Sequence, residues 1–180
     1  MKAIVTGGAG FIGSHLVDLL LTDNINVTVL DNFSTGRPEN LDHVREQIKL
    51  VECDLSVKGD WIQHLDNADW VFHLAALADI VPSIKQPEAY FRANVDGTFN
   101  VLQAAKAAEV KRFIYIASSS CYGLAATPTR EDHPISPQYP YALSKYQGEQ
   151  AVFHWHQVYD LPVNSVRIFN AYGTRVRTTG

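Results

Sequence analysis

The chain has 180 residues, of which 46 % are hydrophobic, and this is enough for one sizeable domain with its own core. The formal net charge of −4, without a long basic run, argues against a nucleic-acid-binding surface. Neither a signal peptide nor an apolar run of bilayer-spanning length is apparent, so we predict no membrane partner. The two cysteines, Cys53 and Cys121, cannot form a disulfide framework and favour the reducing cytoplasm.

Short apolar runs of strand length alternate with helical stretches along the chain. The predicted strands are residues 2–6, 26–30, 48–52, 70–74, 112–117 and 163–168. The predicted helices are residues 11–22, 90–108 and 141–159. Strands that alternate with helices pair in parallel through right-handed crossovers. The sequence therefore predicts an α/β fold with a doubly wound parallel sheet of the Rossmann type, covered on both faces.

Two of the predicted helices have informative apolar patterns. In the helix 11–22, helical spacing puts these residues on one face: Phe11, Ile12, His15, Leu16, Leu19 and Leu20. The helix 141–159 is apolar around much of its circumference. Such breadth indicates either a wide core-facing stripe or a second buried face, and we predict a homodimer that uses the second face.

A glycine-rich turn follows the first predicted strand, with Gly7, Gly10 and Gly13 at intervals of three and Phe11 and Ile12 between the last two. One glycine permits a tight turn, another lets the backbone approach a pyrophosphate, and Gly13 allows close packing of helix on sheet. The helix N-terminus adds free N–H groups and a partial positive charge. A turn that serves only packing is the alternative, but the strand–turn–helix context favours a dinucleotide site.

An acidic residue, Asp31, follows the second predicted strand. A carboxylate at this position can accept hydrogen bonds from the adenosine ribose hydroxyls. It would repel a 2′-phosphate. The expected cofactor is therefore NAD rather than NADP.

Tyr141 and Lys145 lie four residues apart in the last predicted helix, so their side chains share one face. A nearby ammonium stabilises a phenolate, and we expect Lys145 to lower the pKa of Tyr141 from its usual value of about 10. Three serines, Ser118, Ser119 and Ser120, follow the fifth predicted strand, at the edge of the sheet where ligands bind. A hydroxyl there can share a hydrogen bond with a substrate hydroxyl that loses its proton.

These motifs, from Met1 to Arg175, resemble the extended short-chain dehydrogenase/reductases of the NAD-dependent epimerase/dehydratase family, and most closely its UDP-sugar 4-epimerases. The resemblance implies that Asn94 supports the active site and cofactor from the long helix, although a helix N-cap would explain it equally well. It also implies cofactor contacts around the ribose, the adenine and a turn of small residues after the fourth strand. These contacts are Asp31, Asn32, Ser34, Thr35, Gly36, Asp54, Leu55, Leu74, Ala75 and Ala76.

The same resemblance implies a catalytic set of Ser118, Tyr141 and Lys145, of which Tyr141 and Lys145 also contact the cofactor. Ser118, Ser119, Ser120, Tyr141 and Asn170 are then the expected substrate contacts. Nucleotide-sugar 4,6-dehydratases carry an Asp-Glu pair where this chain has Ser119 and Ser120, which cannot do the acid–base work of removing water.

Four other candidate residues are not assigned to the site. Cys121 is expected to be a small buried packing residue. His154 and His156 point apart on a helix, and no metal site is predicted. His73, in a strand, is expected to be a hydrogen-bonded core histidine.

The sequence thus predicts an NAD-dependent nucleotide-sugar 4-epimerase, with a UDP-sugar as its expected substrate, that transiently oxidises the sugar at C4 with Tyr141 as base. A sugar-nucleotide reductase, a GDP-sugar epimerase and a non-catalytic NAD-binding module are the alternatives. Family members continue into a smaller substrate domain, whereas residues 177–180 fall in an expected loop. We therefore expect residues 1–180 to form one NAD-binding domain, a fragment that lacks most of the substrate pocket.

Overall fold

A six-stranded parallel sheet forms the centre of the protein in a computed structural model, which describes residues 1–177. The strands are β1 (Lys2–Thr6), β2 (Asn26–Asp31), β3 (Ile48–Glu52), β4 (Trp70–His73), β5 (Arg112–Ser118) and β6 (Val163–Ile168). Their order is β3-β2-β1-β4-β5-β6, and every pairing is parallel. The predicted doubly wound Rossmann-type fold is confirmed.

The strand ends differ from the prediction by one residue at three places. β2 continues to Asp31, which pairs with Glu52 of β3, and β5 continues to Ser118, which pairs with Ile168 of β6. β4 ends at His73, one residue early. Two expected site residues, Asp31 and Ser118, are consequently fixed by the sheet rather than by loops.

The helices are α1 (Phe11–Thr22), α2 (Ile80–Lys85), α3 (Pro87–Phe91), α4 (Gly97–Ala107) and α5 (Pro140–Tyr159). A π-helical turn, Arg92–Asp96, joins α3 to α4, so the long predicted helix begins at Pro87 and changes its winding part of the way along. Three 3-10 segments, Pro38–Gln47, Asp60–Leu65 and Ser119–Tyr122, complete the structure. No helix within residues 1–177 is long and apolar enough to span a bilayer. The rest of the expected terminal loop, residues 178–180, lies outside the described residues.

Apolar side chains of the strands alternate between two cores, one on each face of the sheet. Ile4 and Leu30 pack with residues of α4 and α5 on one face. Val5 and Val29 pack with α1 on the other face. A sheet that buries both faces needs strands that are apolar at nearly every position, and this explains the short, almost continuous apolar runs in the sequence.

The buried face of α1 coincides only in part with the apolar face of the sequence: Leu20 is buried and Leu16 packs against the same core. Gly13, Ser14, Val17 and Leu20 are buried, whereas Leu19 is 60 % exposed. The helix is rotated because Gly13 and Ser14 must pack against the turn that precedes it. Ser14 donates its backbone N–H to the Gly10 carbonyl and its hydroxyl to the Phe11 carbonyl.

Candidate active site

An elongated cleft runs along the carboxyl ends of β1, β2 and β4, the place where ligands bind in open α/β sheets. It brings together all the expected cofactor contacts except Asn94, Tyr141 and Lys145. The expected residues that line it are Gly7, Gly10, Phe11, Ile12, Gly13, Asp31, Asn32, Ser34, Thr35, Gly36, Asp54, Leu55, Leu74, Ala75 and Ala76.

Close backbone packing explains the glycines in the turn after β1. Gly7 has a φ of +69°, and a Cβ there would lie 2.7 Å from the Ala75 backbone nitrogen. A Cβ on Gly13 would collide with the Gly7 carbonyl oxygen and lie 2.8 Å from the Gly8 Cα. The first turn of α1 can therefore lie against the loop, and Phe11, Ile12 and Gly13 of that turn line the cleft.

The Asp31 carboxylate is held at the end of β2 by backbone donors. Its two oxygens accept hydrogen bonds of 2.9 Å from the Ala9 and Phe33 amides. Burial raises the pKa of Asp31, and the backbone hydrogen bonds from Phe33, Ala9 and Asn32 oppose that rise. A Cβ on Gly36 would lie 3.0 Å from either oxygen, so a glycine at this position leaves the carboxylate open to the cleft.

The far end of the cleft lies beside β3. Asp54 and Leu55 line it, as the resemblance implied, together with Cys53 and Ser56. One Asp54 oxygen accepts hydrogen bonds from the Ser56 amide at 2.9 Å and hydroxyl at 2.7 Å. Burial, reinforced by the charges of Asp31 and Asp54, raises the pKa of the Cys53 thiol to about 11, so this thiol is not a nucleophile at neutral pH.

Asn94 does not cap a helix. It lies in the π-helical turn, is buried, and joins its side-chain amide to the Leu77 backbone at 2.8 and 3.0 Å and to the Ser144 hydroxyl at 3.0 Å. Its neighbour Ala93 lines the cleft, whereas Asn94 is not part of the lining. The N-cap interpretation is therefore wrong. Asn94 holds the segment after β4 against α5, close to the expected catalytic residues.

Tyr141 lies in the first turn of α5 within a group of aromatic rings. The Tyr139 ring is stacked parallel to it at 6.4 Å, and Tyr90 meets it edge-on at 6.5 Å. Burial raises the pKa of Tyr141, and the Ser118 hydroxyl, as a hydrogen-bond partner, offsets part of the rise. The expected lowering of this pKa by Lys145 is therefore not found in the protein alone.

Lys145 is buried one helical turn after Tyr141. Its ammonium lies 4.2 Å from the centroid of the Tyr115 ring. Burial lowers the pKa of Lys145 to about 7, and the negative charge of Glu149 limits the fall. With this pKa the lysine is only partly protonated near neutral pH.

Three serines lie where β5 ends, beside Tyr141: Ser118 is the last residue of the strand, and Ser119 and Ser120 begin a 3-10 segment. Ser118 is buried, and its hydroxyl accepts a hydrogen bond of 3.2 Å from the Ser120 amide. Ser119 and Ser120 are partly exposed, and Asn170 is exposed beyond β6. Asn170 is not held near Ser118 by any hydrogen bond among residues 1–177, so its expected contact with the diphosphate stays a prediction.

Two residues interpreted as structural behave as expected. Cys121 is buried, and burial raises its pKa. His73 bonds to the hydroxyls of Thr6 at 2.7 Å and Thr98 at 2.9 Å, and burial lowers its pKa to about 3. Within residues 1–177, no group of three or more His, Cys, Asp or Glu side chains is arranged to hold a metal ion.

Sequence reasoning missed three arginines near the cleft. Arg37, Arg175 and Arg177 line it. Arg175 forms an ion pair of 2.7 Å with Asp18 of α1, and Arg37 donates to the Arg175 carbonyl. Their positive charge could have pointed to them, because a protein with a net charge of −4 needs individually placed cations to bind an anion.

Comparison with known proteins agrees with this geometry. Residues 3–180 match the model of the NAD dependent epimerase/dehydratase family. A UDP-glucose 4-epimerase of Mycolicibacterium smegmatis is 38 % identical over 97 % of this chain and 58 % of its own length. The UDP-N-acetylglucosamine 4-epimerase of Methanobrevibacter ruminantium superimposes with a TM-score of 0.94 at 36 % identity, over 99 % of this chain and 58 % of that one.

A dTDP-glucose 4,6-dehydratase of Streptomyces venezuelae, solved with NAD, superimposes equally well, with a TM-score of 0.93 at 33 % identity over 98 % of this chain and 58 % of that one. Overall similarity therefore does not separate the reactions of these relatives. The chain spans 41–58 % of the length of the curated relatives it matches. The fold, the glycine cradle and the match along nearly the whole chain lead to one conclusion: the chain belongs to the NAD-dependent epimerase/dehydratase family.

Proposed function

We propose that the full-length protein is an NAD-dependent nucleotide-sugar 4-epimerase that acts on a UDP-hexose or a UDP-N-acetylhexosamine. The observation that carries this proposal is the grouping of Tyr141, Lys145 and Ser118 at the edge of the sheet, next to a cleft built for a dinucleotide. A tyrosine with a lysine one turn away is suited to moving a proton from a sugar hydroxyl. The 4-epimerases among the relatives support the choice of reaction.

In this proposal Tyr141 takes the proton of the sugar 4-hydroxyl, and Ser118 orients that hydroxyl by hydrogen bonding. The phenol is a poor base in the protein alone, because burial raises its pKa. A protonated Lys145 is needed to stabilise the phenolate. Bound NAD would supply the hydride acceptor and then the donor, and its positive ring would favour the phenolate further.

The residues after Ser118 argue against a dehydratase. Removal of water from the sugar needs an acid and a base beside the catalytic hydroxyl. Ser119 and Ser120 occupy those positions, and neither hydroxyl titrates near neutral pH. The same serines can hydrogen-bond a sugar, so we propose them, with Asn170, as substrate contacts.

A second surface of α5 supports the proposal of a homodimer. Its apolar residues, together with Phe99 of α4, are exposed in the single chain: Phe99, Leu143, Phe153, Val158 and Tyr159. Contiguous exposed apolar patches mark interaction sites, and we propose that these residues form one. Sedimentation velocity at micromolar concentration should show a dimer, and a clean monomer would contradict this part of the proposal.

We also propose that the protein acts in the cytoplasm, which cell fractionation can test.

A different sugar-nucleotide reaction, by a reductase or a GDP-sugar epimerase, is the nearest alternative. Product analysis with UDP- and GDP-sugars separates these reactions, because only an epimerase forms an isomer without consuming a reductant. A module that binds NAD without catalysis is the other alternative. It leaves unexplained why Tyr141, Lys145 and Ser118 lie together.

Cofactor choice gives a first prediction. NAD should bind at least about tenfold more tightly than NADP, since the buried Asp31 carboxylate would repel a 2′-phosphate. Asp31→Asn should narrow that gap while keeping an oxygen that can accept from the Ala9 or Phe33 amide. Asp31→Ala should weaken NAD as well. Calorimetry is the measurement, and equal or tighter NADP binding by the unmodified chain would refute the assignment.

The 180-residue chain by itself gives a second prediction. All the strands that form the cleft lie within it, so NAD should stabilise the chain by about 2.7 kcal/mol at a hundredfold excess over Kd. Little or no epimerase turnover is expected, because water would reach Tyr141 and weaken its electrostatic contacts. Thermal denaturation with and without NAD tests the first part. Brisk conversion of a UDP-hexose by this chain would contradict the second.

A further inference from the structure

A buried carboxylate on α5 has no part in the proposed reaction. Glu149 is only 1 % exposed and lies one helical turn after Lys145 and two turns after Tyr141. Residues spaced by four share a helix face, so these three side chains form one stripe. A buried carboxylate is costly unless it is paired and hydrogen-bonded, and its retention on this stripe calls for a reason.

The partners of Glu149 lie on β6. Arg167 donates to both of its oxygens, with Nε at 3.0 Å from each and Nη2 at 2.8 Å from Oε2. The Ser165 hydroxyl donates to Oε1 at 2.6 Å. Arg167 also donates to the Tyr122 hydroxyl at 2.6 Å and lies over that ring at 4.9 Å. Glu149 thus ties α5 to β6 and, through Arg167, to the 3-10 segment Ser119–Tyr122.

Two cations lie near this one carboxylate, the partly buried Arg167 and the buried Lys145. Arg167 bonds it directly, and Lys145 feels its charge from one helical turn away. The other titratable groups around Lys145 are Tyr141 on its own helix, Tyr115 on β5 and His73 on β4. Burial raises the pKa of both tyrosines and lowers that of His73 to about 3, so all three stay neutral between pH 5 and pH 9. Glu149 is therefore the anion that favours the charged form of Lys145 within the described residues.

We propose that Glu149 is a positioning residue whose buried carboxylate keeps Lys145 charged beside Tyr141 and, through its bidentate bond to Arg167, fastens α5 to β6. Arg167 sets the strength of this effect, because it neutralises part of the same carboxylate. The catalytic consequence rests on the proposed epimerase function. The effect of Glu149 on the charge of Lys145 is independent of that function.

The competing account is that Glu149 serves only to neutralise Arg167. The two accounts differ in the titration of Lys145, which can be followed in the 180-residue chain by NMR of the lysine ε-carbons. The Lys145→Met variant lacks the ε-carbon signal of Lys145 and so identifies that signal in the spectrum. Glu149→Gln should weaken the proton affinity of Lys145 at least tenfold, which is one pH unit, whereas Arg167→Met should strengthen it.

The two variants change the titration in opposite directions, so the inference stays testable if Glu149→Gln does not fold. An unchanged Lys145 titration in either folded variant overturns the proposal. The double variant Glu149→Gln with Arg167→Met removes both charges, and here a weakened Lys145 proton affinity is again expected. If Lys145 in the double variant titrates as in the unmodified chain, the competing account holds, because Glu149 then acts only by neutralising Arg167.

Turnover by the full-length protein tests the catalytic consequence. Glu149→Gln should move the alkaline limb of the kcat/KM profile to lower pH by the same interval as the titration, with little change in KM. An unmoved limb beside a moved titration would overturn the catalytic half of the proposal. If the unmodified full-length protein has no epimerase activity but the Lys145 titration still shifts in the Glu149 and Arg167 variants, the proposed function is refuted and the role of Glu149 stands.

Discussion

Turnover by the full-length protein should fall by about 10²- to 10⁴-fold in Tyr141→Phe, the range that a general base contributes. The change removes only the hydroxyl that would take the proton. The phenol lies outside the lining of the dinucleotide cleft, so the Kd for NAD should stay within about twofold. Steady-state kinetics and calorimetry measure the two effects.

Tyr139→Phe is the matched control, because this ring stacks parallel to Tyr141 and belongs to the same aromatic group. It should keep most of the turnover. If Tyr141→Phe also keeps most of its turnover, Tyr141 is not the base and the mechanism is wrong.

The stability of the chain should depend on pH through Lys145. Its pKa is about 7 in the folded chain and about 10.4 when unfolded, so between these values the unfolded chain binds one more proton. Stability due to this group therefore rises with pH, by up to about 1.4 kcal/mol per pH unit. Relative to the unmodified chain, Lys145→Met should be more stable at pH 6 and should lose that advantage by roughly 1 kcal/mol per unit between pH 7 and pH 9.

Urea denaturation at several pH values gives the comparison. Lys58→Met is the control, because Lys58 is exposed and its replacement should leave the pH dependence unchanged. Curves of the unmodified chain and Lys145→Met that run parallel from pH 6 to pH 9 would contradict the lowered pKa of Lys145.

Local motifs made the cofactor cleft predictable from the sequence. Gly7, Gly10 and Gly13 are needed by the backbone of a single turn, and Asp31 comes at the end of the next strand. Each signal lies within a few residues of the chain, and the fold brings the two together. The parallel sheet was predictable for the same reason, because each strand and each helix is marked by a local pattern.

Features that depend on distant contacts were not predictable. The rotation of α1 follows from its packing on the loop, and the role of Asn94 follows from a π-helical turn that no local pattern announces. The pKa of Tyr141 is raised rather than lowered in the protein alone because the ring is buried, and no local pattern of the sequence shows that burial. The Arg167–Glu149 pair joins residues 18 apart in the chain, on different elements.

The most direct test of the account follows the hydrogen on C4 of the sugar. The full-length protein, with NAD but no added reductant, is mixed with UDP-glucose that carries deuterium at C4, and the product is analysed by NMR and mass spectrometry. We expect UDP-galactose with the deuterium retained at C4, since the same hydrogen leaves and returns within one site. Loss of the deuterium to water, or a dehydrated product in place of the epimer, would contradict it.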